Sequence, residues 1–302
     1  MRPGLFTRRR FLGLASAASG AAVLRCETVS APRHARTASA LVDVNVSLSQ
    51  WPLRRLALSN TTGLVAKLRG NNVISAWAGT FDGLLHKDLA GVNARLTHEC
   101  QRNGRGVLRP FGSINPMLPD WEEELRRCAD EHRMPGIRLH PNYHGYSLSD
   151  PNFARLLKLA AERRLIVQLA LVMEDERMMH PLLQARPVDT APLAGLVKQM
   201  PSLRLVLLNA LRTLRAKPLL DLIAAGNVFV EISMLEGIGG VGNLLQQVPS
   251  TRVLFGSHAP LFYFESSLFK LRESPLSDEQ MRNIRAANAR TLAAAFQRRT
   301  ML

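Results

Sequence analysis

Eight short apolar runs recur along the chain, and nearly every gap between them carries a helical pattern. The runs fall at residues 41–47, 73–77, 107–114, 136–140, 165–171, 203–208, 228–232 and 253–255. Each is too short for a buried helix and the right length for a buried strand. Strands that alternate with helices need crossover connections, so they pair in parallel with the helices packed outside. Trp121, Leu125, Cys128 and Ala129 make one helical face after Asp120, an N-cap candidate. Phe153, Leu156, Leu157 and Ala160 make another, entered through Ser149-Asp150-Pro151. Leu219, Leu222 and Ile223 make a third, closed by Gly226. Pro260 suits the first turn of a helix carrying Leu261, Phe264, Leu268 and Leu271. Only Pro110, inside the third run, argues against a strand. Eight such units predict a single (β/α)₈ barrel over residues 41–302. The alternative is an open doubly wound sheet, although no Gly-x-Gly-x-x-Gly follows the first run.

Residues 1–40 read as a separate signal segment. They hold seven arginines and one glutamate, a net +6 of the chain's +15, which leaves +9 for the remainder. Thr7-Arg8-Arg9-Arg10-Phe11-Leu12-Gly13 resembles the twin-arginine export signal, Ser/Thr-Arg-Arg-x-Phe-Leu-Lys. An Ala-rich apolar segment and a small-x-small site at Ala38-Ser39-Ala40 follow. The expectation is export to the periplasm or beyond, with the twin-arginine machinery as a partner. Arg25 stands where a lipobox wants a small residue, so Cys26 is not expected to carry a membrane anchor. Cys100 and Cys128 are read as buried thiols rather than a disulfide framework or a zinc motif. The remaining positive charge is dispersed, which argues against nucleic-acid binding.

In parallel α/β folds, chemistry sits at the carboxyl ends of the strands. Strand alternation places Asp43, Asn45 and Ser47 on one face, and Arg138 and His140 on another. Gln168, Asn209, Glu231 and His258 stand at later strand ends, and His144 and Tyr146 follow His140. Turned inward, these side chains would make a polar ring, either self-satisfied with Arg138 paired to Glu231 or Asp43, or open to a ligand. Glu176 and His180 would share a face if their loop were helical.

Four stretches carry a family resemblance. Asp43-Val44-Asn45-Val46-Ser47 resembles the opening Asp-x-His-x-His strand of the amidohydrolase-related proteins. Gly136-Ile137-Arg138-Leu139-His140-Pro141 resembles their fourth strand. Val253-Leu254-Phe255-Gly256-Ser257-His258-Ala259-Pro260 resembles their last, Phe-Gly-Ser-Asp-x-Pro, and Asn288-Ala289-Arg290-Thr291-Leu292 their C-terminal helix. The resemblance spans nearly all of residues 41–302 and implies a (β/α)₈ fold with metal-dependent hydrolase or decarboxylase activity. Yet the family's metal histidines fall here on Asn45, Ser47, Ala170 and Asn209, and its last-strand aspartate on His258. Zinc takes thiolate, imidazole or carboxylate donors, which Asn, Ser and Ala do not supply. A zinc centre is therefore not expected at the usual place. A divalent ion remains open through a rebuilt set of His140, His258 and Glu231.

Two functions follow as expectations. One is a hydrolase or lyase, including decarboxylase, for a small anionic substrate. Its catalytic groups would be His258, His140 and Glu231. Its substrate contacts would come from Arg138, Asn45, Ser47, His144, Gln168 and Asn209. The other is a catalytically silent barrel that binds a small molecule or a protein partner.

Overall fold

The computed structural model describes residues 40–297. The twin-arginine stretch, Cys26 and the cleavage site through Ser39 lie outside the described residues.

Eight strands form one parallel sheet in sequential order. They are β1 (Leu41–Leu48), β2 (Val73–Thr80), β3 (Leu108–Ser113), β4 (Gly136–Leu139), β5 (Ile166–Ala170), β6 (Arg204–Leu208), β7 (Asn227–Glu231) and β8 (Val253–Leu254). The backbone past β8 closes the sheet on β1: Val44 N donates to Phe255 O at 3.0 Å and Ser47 N to Ala259 O at 2.9 Å. This is the (β/α)₈ barrel that the alternation predicts, and closure removes the open doubly wound sheet. Pro110 stands inside β3, at the last position paired with β2; from Phe111 on, β3 pairs with β4.

The outer shell includes α1 (Thr61–Gly70), α2 (Leu89–Asn103), α3 (Trp121–Arg126), α4 (Pro141–His144), α5 (Pro151–Glu162), α6 (Leu193–Lys198), α7 (Ala216–Ala225), α8 (Gly240–Leu244), α9 (Phe264–Arg272), α10 (Asp278–Arg282) and α11 (Asn288–Gln297). Short polar side chains start several of them by taking up otherwise unbonded N–H groups. Asp150 accepts from Asn152 N, and Ser277 with Gln280 makes a reciprocal capping box. Asp120 precedes α3 but makes no side-chain cap, contrary to its sequence reading. The helix expected after the eighth run begins at Phe264, not at Pro260, whose peptide bond to Ala259 is cis.

Strand alternation splits the core in two. Ile137, Val167, Leu205 and Val230 pack outward with the helices, whereas Trp77, Phe111, Ile166, Val206, Phe229 and Leu254 fill the barrel. Inside, the Trp77 and Phe111 rings stack at 5.0 Å. Arg138, Gln168 and Glu231 share the inward parity of β4, β5 and β7. Cys100 and Cys128 are free and buried.

Candidate functional site

The polar ring forms at the carboxyl ends of the strands, and almost nothing in it touches solvent. Asp43, Gln168, Asn209 and Glu231 are 0% exposed, and Asn45, Ser47, Arg138, His140 and His258 are between 1% and 2%. Buried polar groups at this density must find partners.

Arg138 finds its partners in neutral acceptors. Its Nε donates to Gln168 Oε1 at 2.8 Å. Nη1 donates to Val46 O at 2.9 Å and to Ser47 Oγ at 3.2 Å, and Nη2 to Trp77 O at 3.1 Å. Gln168 Nε2 in turn donates to Val44 O at 2.6 Å. The two β1 carbonyls lie in a register break between Asp43 and Val46. That break defeats strict alternation: Val44 packs with the barrel interior and Val46 with the outer shell. Asp43 therefore does not join Ser47 around the guanidinium, as alternation had predicted. Arg138 is also not hydrogen-bonded to Glu231 or Asp43; four of its five N–H groups are spent on neutral oxygens. Burial lowers its pKa to about 10, against the raising influence of the Asp43 and Glu231 charges.

Glu231 anchors the other half of the ring. Its Oε1 accepts from Asn209 N at 2.6 Å and Asn45 Nδ2 at 3.2 Å, and its Oε2 accepts from Ser233 N at 2.6 Å. Ser233 Oγ lies 2.7 Å from Glu231 Oε1 and 2.9 Å from Asn209 Oδ1, with one proton for the two. Asn45 Nδ2 reaches Asn209 Oδ1 at 2.8 Å, and Asn209 Nδ2 reaches Val172 O at 2.7 Å. Asp43 takes hydrogen bonds from Ser257 Oγ at 2.5 Å and from Ser257 N and Asn45 N, both at 3.0 Å. Burial nonetheless pushes its carboxyl up to about 7.

The imidazoles are less completely engaged. His258 Nε2 sits 2.8 Å from Met173 O. A carbonyl only accepts, so this nitrogen carries the proton and Nδ1 keeps a lone pair. Asn209 Nδ2 lies 3.4 Å from the same protonated nitrogen and has nothing to donate to there. Among the described residues, the Nδ1 atoms of His258, His140 and His144 are buried without a partner. Burial lowers the pKa of His258 to about 4 and drives that of His140 well below its ordinary value, so both rings are neutral at neutral pH. His258 also has φ 56°, a left-handed backbone that a non-glycine residue adopts at a cost. His144, 6.0 Å from the His140 ring, is tied by Nε2 to Gly83 O at 2.8 Å.

Loops cover the ring. Trp51 meets the Phe81 ring edge-on at 5.2 Å, and Phe262 meets His258 at 5.1 Å. Arg54, in the segment after β1, bonds Glu174, in the segment after β5, at 2.6 Å. Glu174 is 3% exposed and the Arg54 side chain 32%. Beyond it, Glu176–Met178 is a single 3₁₀ turn, so Glu176 and His180 do not share a helix face. Sequence reasoning passed over Ser233, Ser257, Arg54, Gly79 and Gly256. Gly79 and Ser233 had their place at a strand end as a signal, Gly256 and Ser257 stand in the stretch that resembles Phe-Gly-Ser-Asp-x-Pro, and Arg54, well past the end of β1, carried none.

The donor set does not fit the family's metal. Glu231 already receives three hydrogen bonds and competes with Asn209 for the Ser233 hydroxyl proton, and the proton of His258 Nε2 is committed to Met173 O. Among the described residues no three His, Cys, Asp or Glu side chains converge as a metal requires, so His140, His258 and Glu231 do not assemble the rebuilt set.

Comparison with known proteins agrees with the architecture. The family model described as amidohydrolase matches residues 53–292. Among solved structures, 5-carboxyvanillate decarboxylase from Sphingomonas paucimobilis is 15% identical with a TM-score of 0.67, covering 84% of this chain and 99% of that one. The 2,6-dihydroxybenzoate decarboxylase from Rhizobium is 13% identical with a TM-score of 0.66, covering 85% and 99%. A dihydroxybenzoic acid decarboxylase from Polaromonas, solved with manganese and 2-nitroresorcinol, is 11% identical with a TM-score of 0.63, covering 85% and 97%. No curated protein matches in sequence. With the family model spanning most of the chain and the same barrel present, this chain belongs to the amidohydrolase family.

Proposed function

We propose that the protein is a hydrolase or lyase for a small anionic substrate that works at the barrel mouth without the family's metal. The observation that carries this reading is the pair of unpartnered Nδ1 atoms on His140 and His258. Leaving a buried polar nitrogen unbonded costs about 1–3 kcal/mol, and such atoms in a finished core call for a reason. Neutral imidazoles facing a substrate would take up and return a proton. Each ring, neutral at rest, would take a proton from a substrate hydroxyl or water and return it to the carbon as the C–C bond to the carboxylate breaks and CO2 leaves. Arg138 supplies a fixed positive charge beneath the site instead of a bidentate clamp, because four of its five N–H groups are spent. The related barrels named above decarboxylate aromatic carboxylates, which supports a substrate of that class.

A second reading has its own observation. Glu231, Asn209, Asn45, Arg138 and Gln168 satisfy one another so fully that the ring works as a structural core. A silent barrel that binds a small molecule or a protein would look the same. Turnover of a panel of aromatic carboxylates and amides separates the two. The catalytic reading expects product release that falls at least about a hundredfold in His258→Ala. Equal turnover in wild type and His258→Ala, or binding with no turnover, would reject it.

We further propose export by the twin-arginine route, on Arg8-Arg9 followed by Phe11-Leu12. Replacing both arginines with lysine is expected to strand precursor in the cytoplasm. Normal processing of that variant would reject the route.

A further inference from the structure

A cavity of about 610 Å³ opens at the other end of the barrel, where Val42, Ile74 and Arg109 begin β1, β2 and β3. Its size lies within the range of small-molecule pockets. Arg109, Arg133 and Arg290 all line it, and no Asp or Glu does among the described residues. Among the described residues none of the three guanidiniums has a carboxylate partner, in contrast to Arg126, Arg155 and Arg212, which each hold one. The same cavity has an apolar wall of Val42, Ile74, Trp77 and Ala289, and Ile74 is 45% exposed although it opens a strand. All three arginines are exposed, and a multiply charged anion seated in the concavity would meet their guanidiniums together.

We propose that this cavity binds a small, multiply charged organic anion, a phosphate ester or polycarboxylate with an apolar body. Guanidinium groups meet such oxygens with paired hydrogen bonds, and the Val42, Ile74 and Ala289 wall covers the remainder of the ligand. The site lies at the opposite end of the strands from the polar ring, and Trp77 alone belongs to both, its side chain lining the cavity and its carbonyl accepting from Arg138.

Isothermal titration of the mature protein with tripolyphosphate in one arm and citrate in another tests the assignment and distinguishes phosphate from carboxylate chemistry. One saturable site per chain is expected with at least one probe. Arg109→Gln and Arg290→Gln should each weaken it about tenfold, as should Arg133→Gln if either of the others folds poorly. Lys158→Gln removes the same charge from the exposed surface of α5 and should leave binding unchanged. No saturable binding by either probe, equal weakening by Lys158→Gln, or binding only to anionic lipid vesicles would overturn the proposal.

Discussion

Gly79 leaves the space that the Arg138 guanidinium occupies: a Cβ on Gly79 would stand 2.8 Å from Arg138 Nη1 and 2.9 Å from its Cδ. The side chain cannot swing aside without giving up hydrogen bonds to Val46 O, Ser47 Oγ and Trp77 O. Gly79→Ala is therefore expected to lower stability by about 1–3 kcal/mol. Pairing it with Arg138→Met should recover part of that loss in urea unfolding. Additive losses in the double variant would show that the two residues do not compete for one space.

Glu231→Ala is expected to be the most damaging single change in the ring. It strands the N–H groups of Asn209 and Ser233, both buried and both now 2.6 Å from the carboxylate. A loss of at least about 3 kcal/mol follows from two buried donors left unpaired. A urea midpoint within error of wild type would contradict this account. Gly256→Ala should act on the same group, because its Cβ would overlap Glu231 Oε2.

Stability against pH should separate two opposed titrations. The Asp43 carboxyl is raised in the fold, from 3.8 to about 7, so it contributes stability below pH 3.8 that is lost as pH rises through about 7. His258 is lowered from 6.5 to about 4, so it contributes stability above pH 6.5 that is lost as pH falls through about 4. His140 moves in the same direction as His258. The slopes oppose each other between pH 4 and 6.5, and the wild-type profile should be shallow there. Asp43→Asn should leave a steep loss of stability on acidification, read from urea midpoints across that window. A profile unchanged by Asp43→Asn would refute the assignment.

The Arg54–Glu174 pair should act as the fastening over the mouth. Arg54→Gln leaves Glu174, whose carboxyl burial already raises, without its cation. Amide exchange across residues 49–59 is expected to quicken roughly tenfold, while exchange in β4 and β5 holds. Equal exchange in both proteins would mean that Trp51 and Phe81 close the mouth without the ion pair.

Metal content of protein purified without chelators or an affinity metal column should be far below one zinc, iron or manganese per chain. About one zinc per chain, lost in Asn45→Ala but retained in His258→Ala, would restore the family's centre. Metal lost only with His258 or His140 would instead restore the rebuilt set.

The barrel was legible from the sequence because its signal is local. Runs such as 166–170 and 204–208 are buried along their whole length and, Gln168 and Arg204 apart, apolar on both faces, and only a parallel sheet covered by helices buries both. The strand-end residues were legible for the same reason, since Arg138, Gln168 and Glu231 keep the parity that points them inward. What each side chain bonds was decided only by the tertiary structure. Arg138 was expected to meet a carboxylate or an anion and instead meets the carbonyls of Val46 and Trp77. Those acceptors exist because the register breaks between Asp43 and Val46, and a bulge has no mark in residue type. Likewise, whether His140, His258 and Glu231 converge depends on three separate strand ends and the loops above them, and no spacing along the chain encodes that distance.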